Sequence, residues 1–331
     1  EYCENGGLCY TDAIDNSAGV DTSDHEVNIK ILLTSEVRKN NMDVSQRNRI
    51  LAKMENEVGR LVLANNYQQT QAISLEANEG NAALAAQIRA LDLLEDSGLL
   101  DRAIEFLPEN DELEHRLENG KALSRPELSV LLSYSIMDLY QKLLDSDLPD
   151  DRYLDREIEQ YFPALMSKDY LKQVHTHRLR REIISTEITN DLVGTMGTTF
   201  HLRIGELTSS AAHEVAAAYV AARDIAGSNE LIAEIQGLDN KIPAQIQMRA
   251  IGEVVESLGS SVVWLLRNCP QPLSLGQVCR RYHKPFRDLS KNLKRVMRQV
   301  SGDAYERRIE ADIDAGLPPA TAEKLAAFCA L

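Results

Sequence analysis

From residue 44 to the last quarter of the chain, apolar residues fall three and four positions apart, a spacing that admits helices and little else. Over 44–66 the series is Ile50, Leu51, Met54, Val58, Leu61 and Val62, and over 243–267 it is Ile251, Val254, Val255, Leu258, Val262, Leu265 and Leu266. Ser124 stands three residues before Glu127, the capping-box pattern, ahead of Leu128, Leu131, Leu132, Ile136, Leu139 and Leu143. The same reading predicts helices over 166–193, 210–226 and 229–237, and a segment bracketed by Tyr67–Gln71 and Gly80 that ends near Asp96. It also predicts a short apolar helix containing Ala103, Ile104 and Leu107, closed by Pro108, and an acidic loop from Asp145 to Asp151. Pro270 and Pro272 mark a break, and shorter helices run from there to the end, with Pro318 and Pro319 between the last two. No strand is predicted after residue 22, and no fixed-period repeat suggests a solenoid.

At 331 residues the chain is long enough for about two domains. Its 44% hydrophobic and 26% charged residues are ordinary for a globular protein, and a formal charge of −15 argues against a polyanion-binding role. Cysteines at 3, 9, 269, 279 and 329 form no Cys-x-x-Cys pair; their odd number suggests reduced thiols in a cytoplasmic protein. No apolar run approaches the roughly 20 residues that cross a membrane.

The stretch from Thr11 to Glu26 is the one most crowded with ligand-binding side chains. It reads as a connection from a short apolar strand, Leu8 to Thr11, through a polar turn containing Asn16 and Gly19, to a helix starting at Ser23. Ser23 and Glu26 fit a capping box. Ser23 is then an N-cap, or an N-cap that also helps the free N–H groups of a helix start to hold an anion.

The pattern Asp12, three residues, Asn16, two residues, Gly19-Val20, two residues, Ser23, two residues, Glu26 resembles the segment that closes the nucleotide-binding domain of glutamate dehydrogenases. Ordinary members read Pro-Asp, three residues, Asn-Ala-Gly-Gly-Val, two residues, Ser, two residues, Glu. The wording of residues 11–30 is closer to the very-large-subunit, NAD-specific bacterial class, as are the run His177–Thr186 and Gly197-Thr198-Thr199-Phe200. The resemblance implies that Ser23 binds the far carboxylate of glutamate, that Asn16 lines the nicotinamide and substrate side of a cleft, and that Gly19 is the second glycine of the Gly-Gly pair. Ala18 stands where the first glycine would be, and Thr11 where the proline would be.

The fold expected is mainly α: a short strand-turn remnant of a Rossmann-type nucleotide-binding domain over 1–22, then an all-helical domain over 23–331. The implied activity is oxidation of L-glutamate by NAD to 2-oxoglutarate and ammonia. No Gly-x-Gly-x-x-Gly phosphate turn occurs, and the chain opens on Glu1-Tyr2-Cys3 without methionine. The expectation is therefore a C-terminal piece, inactive alone, whose catalytic lysine and aspartate lie upstream. Its partners would be those upstream domains and further copies in a homo-oligomer. The competing expectation is a non-enzymatic helical module for oligomerisation or regulation.

Other candidates read as structural. His175 and His177 form a His-x-His pair in a helical context without a third ligand, and His25 is expected to cover the first helical turn. Arg178, Arg180 and Arg181 are expected to form ion pairs, with anion contact as the alternative. Ala211 to Ala222 reads as core. From Arg280 to Arg298 eight basic residues face one acid, and residues 243–331 carry thirteen basic against nine acidic groups, leaving −19 on the first 242. With Leu289, Leu293, Val296 and Val300 this makes a basic amphipathic helix. The expectation is a solvated face; docking on an acidic surface is the alternative, and nucleic acid is disfavoured despite a loose helix-turn-helix look-alike at 274–283.

Overall fold

The computed structural model describes every residue except 1, 4, 6 and 298, with the backbone alone at 299, 300 and 301. The described residues form α-helices and short 3-10 turns, with no strand. The chain divides into two compact units, residues 1–203 and 204–331.

The first unit contains α1 (Asp12–Asp15), α2 (Ser17–Arg38), α3 (Val44–Glu79), α4 (Asn81–Asp96), α5 (Asn110–Glu118), α6 (Arg125–Leu144), α7 (Asp155–Tyr161), α8 (Ala164–Asp169), α9 (Leu171–His175), α10 (Arg180–Met196) and the start of α11 (Phe200–Thr208). The helix α3 opens on a reciprocal cap between Asp43 and Gln46, at 2.7 and 2.9 Å. It runs unbroken through the glutamine-rich stretch, where two segments are predicted, because Ala72, Ile73 and Glu76 just beyond are buried. It ends at Gly80, whose φ of +60° suits glycine.

The capping box at α6 is present: Glu127 accepts from the Ser124 N–H at 2.6 Å, and Ser124 Oγ accepts from the Glu127 N–H at 3.5 Å. Helix α6 buries Leu128, Leu131, Leu132, Leu139 and Leu143 in the layer where α10 contributes Ile184, Ile188, Leu192 and Val193. Each such side chain contributes about 1.5–3 kcal/mol of apolar transfer. A buried carboxylate ties this layer together. Glu76 accepts from the Thr198 backbone N–H, from Thr198 Oγ1 at 2.9 Å and from Gln87 Nε2 at 3.2 Å. Gly197 makes this approach possible: its φ is +89°, and a Cβ there would lie 2.7 Å from the Glu76 carboxylate.

Two predicted helices are corrected. Residues 103–106 form turns and Leu107 has no regular structure, with Ile104 and Phe106 exposed at 69% and 92%. Their conformation is set by Arg102, which is 1% exposed and donates to Asp92 Oδ1 at 2.5 Å and Asn110 Oδ1 at 2.6 Å, holding this stretch against the end of α4. The single helix expected over 166–193 is broken into α8, α9 and α10. One break is at Tyr170, with φ −129°; at the other, the Leu179 N–H donates to the His177 ring rather than to a helical carbonyl. Arg180 and Arg181 make the expected ion pairs, with Asp155 at 2.5 Å and with Asp150; among the described residues Arg178 makes none.

The second unit continues with α12 (Ala212–Ala226), α13 (Ser228–Gln236), α14 (Ala244–Asn268), α15 (Leu275–Val296), α16 (Gln299–Asp314) and α17 (Pro319–Cys329). The alanines of α12 are core, as predicted: Ala216, Ala218 and Ala221 are fully buried, and their small side chains let α14 and α15 pack closely. The helix-turn-helix look-alike lies in one continuous helix, α15. Arg280, Arg281, Lys284, Arg287, Lys291, Lys294 and Arg295 are exposed in this chain, and Lys294 pairs with Glu306. Arg298 and the side chain of Val300 lie outside the described residues.

Arg102→Ala would leave Asp92 with only the Asn110 amide, at 3.1 Å, and is expected to cost about 1.5–3 kcal/mol in urea denaturation. A loss below about 1 kcal/mol would show that Arg102 does not hold the 98–110 segment.

Candidate functional site

Helix α2 has two unlike faces. His25, Ile29, Leu32, Leu33 and Glu36 are buried, whereas Asn16, Gly19, Val20, Ser23 and Val27 line an exposed stripe, Val20 at 66% and Val27 at 49%. The structure therefore brings the three predicted site residues, Asn16, Gly19 and Ser23, onto one open face. Among the described residues neither the Asn16 carboxamide nor the Ser23 hydroxyl makes a hydrogen bond, and a Cβ on Gly19 would meet nothing within 4 Å.

The helix does not begin at Ser23. It begins at Ser17, after the cap residue Asn16 and the short α1, so Ser23 lies inside it and Gly19 is helical rather than in a turn. Ser17, Ala18 and Thr22 continue the helix upstream: the Thr22 hydroxyl bonds back to the Ala18 carbonyl at 2.7 Å, and Asn66 Nδ2 donates to Ser17 Oγ and the Ile14 carbonyl, both at 3.0 Å. Glu26 pairs with Lys30 rather than reaching back to Ser23. The capping box and the anion-holding helix start at Ser23 both fall with this shift, since the free N–H groups belong to residues before Val20. The strand expected over Leu8 to Thr11 is absent too, and that segment has no regular secondary structure.

The buried face of α2 is held by polar contacts that the sequence pattern did not show. Asn65 Nδ2 donates to Asp21 Oδ2 at 2.9 Å, and Asn28 Nδ2 to the Tyr161 hydroxyl at 2.8 Å. His25 is 2% exposed and stacks on Tyr161 with ring centroids 4.2 Å apart, so it covers a core tyrosine rather than the first turn. His177 Nε2 donates to the Asn28 carbonyl at 3.1 Å while its Nδ1 accepts from Leu179. Burial pushes both histidines below the ordinary imidazole value, in His25 against the opposing pull of Asp21 and Asp24. His201, wholly buried against Asp138 at 2.8 Å, is lowered for the same reason. His175 bonds to Glu159 at 2.6 Å, and the described residues contain no group of three metal-ligating side chains. A signal for these anchors did exist: Asn65 and Asn66 are adjacent amides in the middle of an apolar-periodic helix.

A family model described as "Glutamate dehydrogenase, C-terminal" matches residues 120–331, more than half of the chain. The chain belongs to that glutamate dehydrogenase family. A second model, "Bacterial NAD-glutamate dehydrogenase, catalytic domain", matches residues 1–76, which takes in Asn16, Gly19, Ser23 and all of α2 and most of α3. The chain is similar to proteins named NAD-specific glutamate dehydrogenase. One from Pseudomonas aeruginosa is 42% identical over 326 residues, 98% of this chain and 20% of that protein. Another, from Halomonas elongata, is 37% identical over 99% of this chain and 20% of its own length. A third, from Mycobacterium tuberculosis, is 32% identical over 96% and 20%. The chain thus spans about a fifth of these dehydrogenases. No helix among its described residues is long and apolar enough to cross a membrane.

Two outcomes are expected. Because Gly19 sits in a helix with open space around it, Gly19→Ala should leave this fold intact and raise its stability by about 0.5–1 kcal/mol in thermal unfolding; destabilisation would mean that the face is covered. The buried histidines titrate below 6.5, so the unfolded chain binds protons that the folded chain refuses as pH falls through that value. Stability should therefore decline from about pH 7.5 to about 5.5, with a shallower slope in His177→Gln; an unchanged slope would show that His177 is not held neutral.

Proposed function

We propose that this chain is the C-terminal part of an NAD-dependent glutamate dehydrogenase, in which L-glutamate, NAD and water give 2-oxoglutarate, ammonia and NADH. The observation that carries the reading is the exposed stripe of Asn16, Gly19 and Ser23 on a helix whose other face is anchored in the first unit. The unengaged Ser23 hydroxyl can donate to the side-chain carboxylate of glutamate, a charge-assisted bond that fixes which end of the substrate points inward. The unengaged Asn16 carboxamide offers both a donor and an acceptor to the cleft wall. The bare surface at Gly19 lets a flat ring come close to the helix backbone. These three positions suit the nicotinamide edge of NAD, with the phosphates held by residues outside this chain. NAD, when bound, supplies the hydride acceptor. Residues 1–22 then belong with the nucleotide-binding domain, and the helical remainder backs the cleft and supports a homo-oligomer in the cytoplasm.

One observation favours the second reading, a helical oligomerisation or regulatory module: the second unit carries an open, largely apolar groove of about 690 Å³ lined by Trp264, Tyr282, Phe286 and Leu289. Within the first unit, α2 packs against α3 as part of the body rather than as an appendage, which supports substrate contact and scaffold acting together.

In the full-length enzyme Ser23→Ala is expected to raise the KM for glutamate by about 1.5–3 kcal/mol of lost binding, with a smaller effect on the KM for NAD. Unchanged glutamate kinetics would remove Ser23 from the site. The 331-residue chain alone is expected to produce no NADH from glutamate and NAD.

A further inference from the structure

The C-terminal half of α2 forms one wall of an open cleft of about 560 Å³, with the segment 173–178 opposite. Its lining includes Lys30, Thr34, Ser35, Arg38, Lys39 and Arg178. Four cations thus share one hollow in a chain whose net charge is −15.

Most of this charge is already matched. Glu36, the one carboxylate in the lining, is 3% exposed and accepts from Asn41 at 2.7 Å, Lys39 at 3.0 Å and Gln173 at 3.2 Å. Those hydrogen bonds hold it below the usual carboxylate range, so it stays charged and neutralises Lys39. Lys30 is paired with Glu26 outside the lining. The His177 ring has both nitrogens engaged and is kept neutral. Arg38 and Arg178 remain. Both are exposed, and among the described residues neither makes an ion pair or a side-chain hydrogen bond.

A structural role accounts for one of them only. Arg38 is the last residue of α2, where a cation is favoured by the helix dipole. Arg178 lies in the turn between α9 and α10 and has no such reason to face the cleft. Its neighbours Arg180 and Arg181 are both spent on Asp155 and Asp150. Two guanidinium groups without a carboxylate partner thus line one concavity. A ligand with two or more negative charges can satisfy both planar donor forks, while the Thr34 and Ser35 hydroxyls can complete its coordination.

We infer that this cleft, which adjoins the stripe around Ser23 at Val27, is a binding site for a small polyvalent anion, of phosphate or carboxylate chemistry, held between Arg38 and Arg178. The inference does not depend on the role proposed for Ser23. Its test is isothermal titration of the full-length protein, at fixed ionic strength, with pyrophosphate and separately with tricarballylate. Saturable binding of at least one is expected, weakened about tenfold or more in Arg38→Gln/Arg178→Gln. A control variant, Arg49→Gln/Lys53→Gln, removes two exposed cations of α3 and should stay within about twofold of the parent. The tighter of the two probes identifies the anion chemistry. Absence of saturable binding by both probes, or equal weakening in the two double variants, would overturn the site. All four substituted side chains are exposed, and a thermal melt on each variant confirms that the fold compared is the same.

Discussion

Tyr161 is the post against which the working helix is set. Its ring takes the stacked imidazole of His25, its hydroxyl accepts from Asn28, and its edge meets Phe162 with centroids 5.1 Å apart. Phe162 in turn lies 5.5 Å from His177, which closes the circuit by donating to the Asn28 carbonyl. This loop of contacts engages α2 at two positions three residues apart, nearly one helical turn, and so fixes its rotation as well as its place. Rotation matters because a helix presents a different residue every 100°. A turn of that size about its own axis would carry Ser23 off the open face.

Helices were legible in the sequence wherever burial is one-sided, as in α6 and α14, because there the apolar stripe and the cap report the same element. They were illegible where a single side chain overrules the local pattern. Arg102 does this by drawing the backbone of the following turn around its guanidinium, and His177 by offering a ring nitrogen to a backbone donor that would otherwise have continued a helix. Neither effect leaves a periodic trace. The candidate site was legible through its resemblance, which pointed to Asn16, Gly19 and Ser23 without giving the helix register. Residues 17–22 contain Ser, Gly, Asp and Thr, all of which suit turns as well as helix starts, so the first turn was placed about six residues late. The anchors on the far side of α2 were missed because Asn and Tyr are read as surface residues until a partner from a distant segment is seen.

The run Gly197-Thr198-Thr199-Phe200 has a structural explanation, which extends to His201. Gly197 leaves room for the Glu76 carboxylate, Thr198 supplies two donors to it, and His201 reaches Asp138, which Lys142 also holds at 2.7 Å. Burial alone would raise both acids. In Glu76 burial wins and the carboxyl is raised, whereas in Asp138 the bonds from His201 and Lys142 prevail and the carboxyl is lowered. Two buried acids with opposite outcomes thus sit at the two contacts that join α3 and α6 to the start of α11.

The length of α2 has a consequence of its own. From Ser23 to Arg38 the helix rises about 22 Å as a continuous hydrogen-bonded rod. Because His25, Ile29, Leu32, Leu33 and Glu36 are buried along that length, the rod is clamped rather than hinged, and the open face near Ser23 and the hollow beside Arg38 are held at a fixed spacing on one axis.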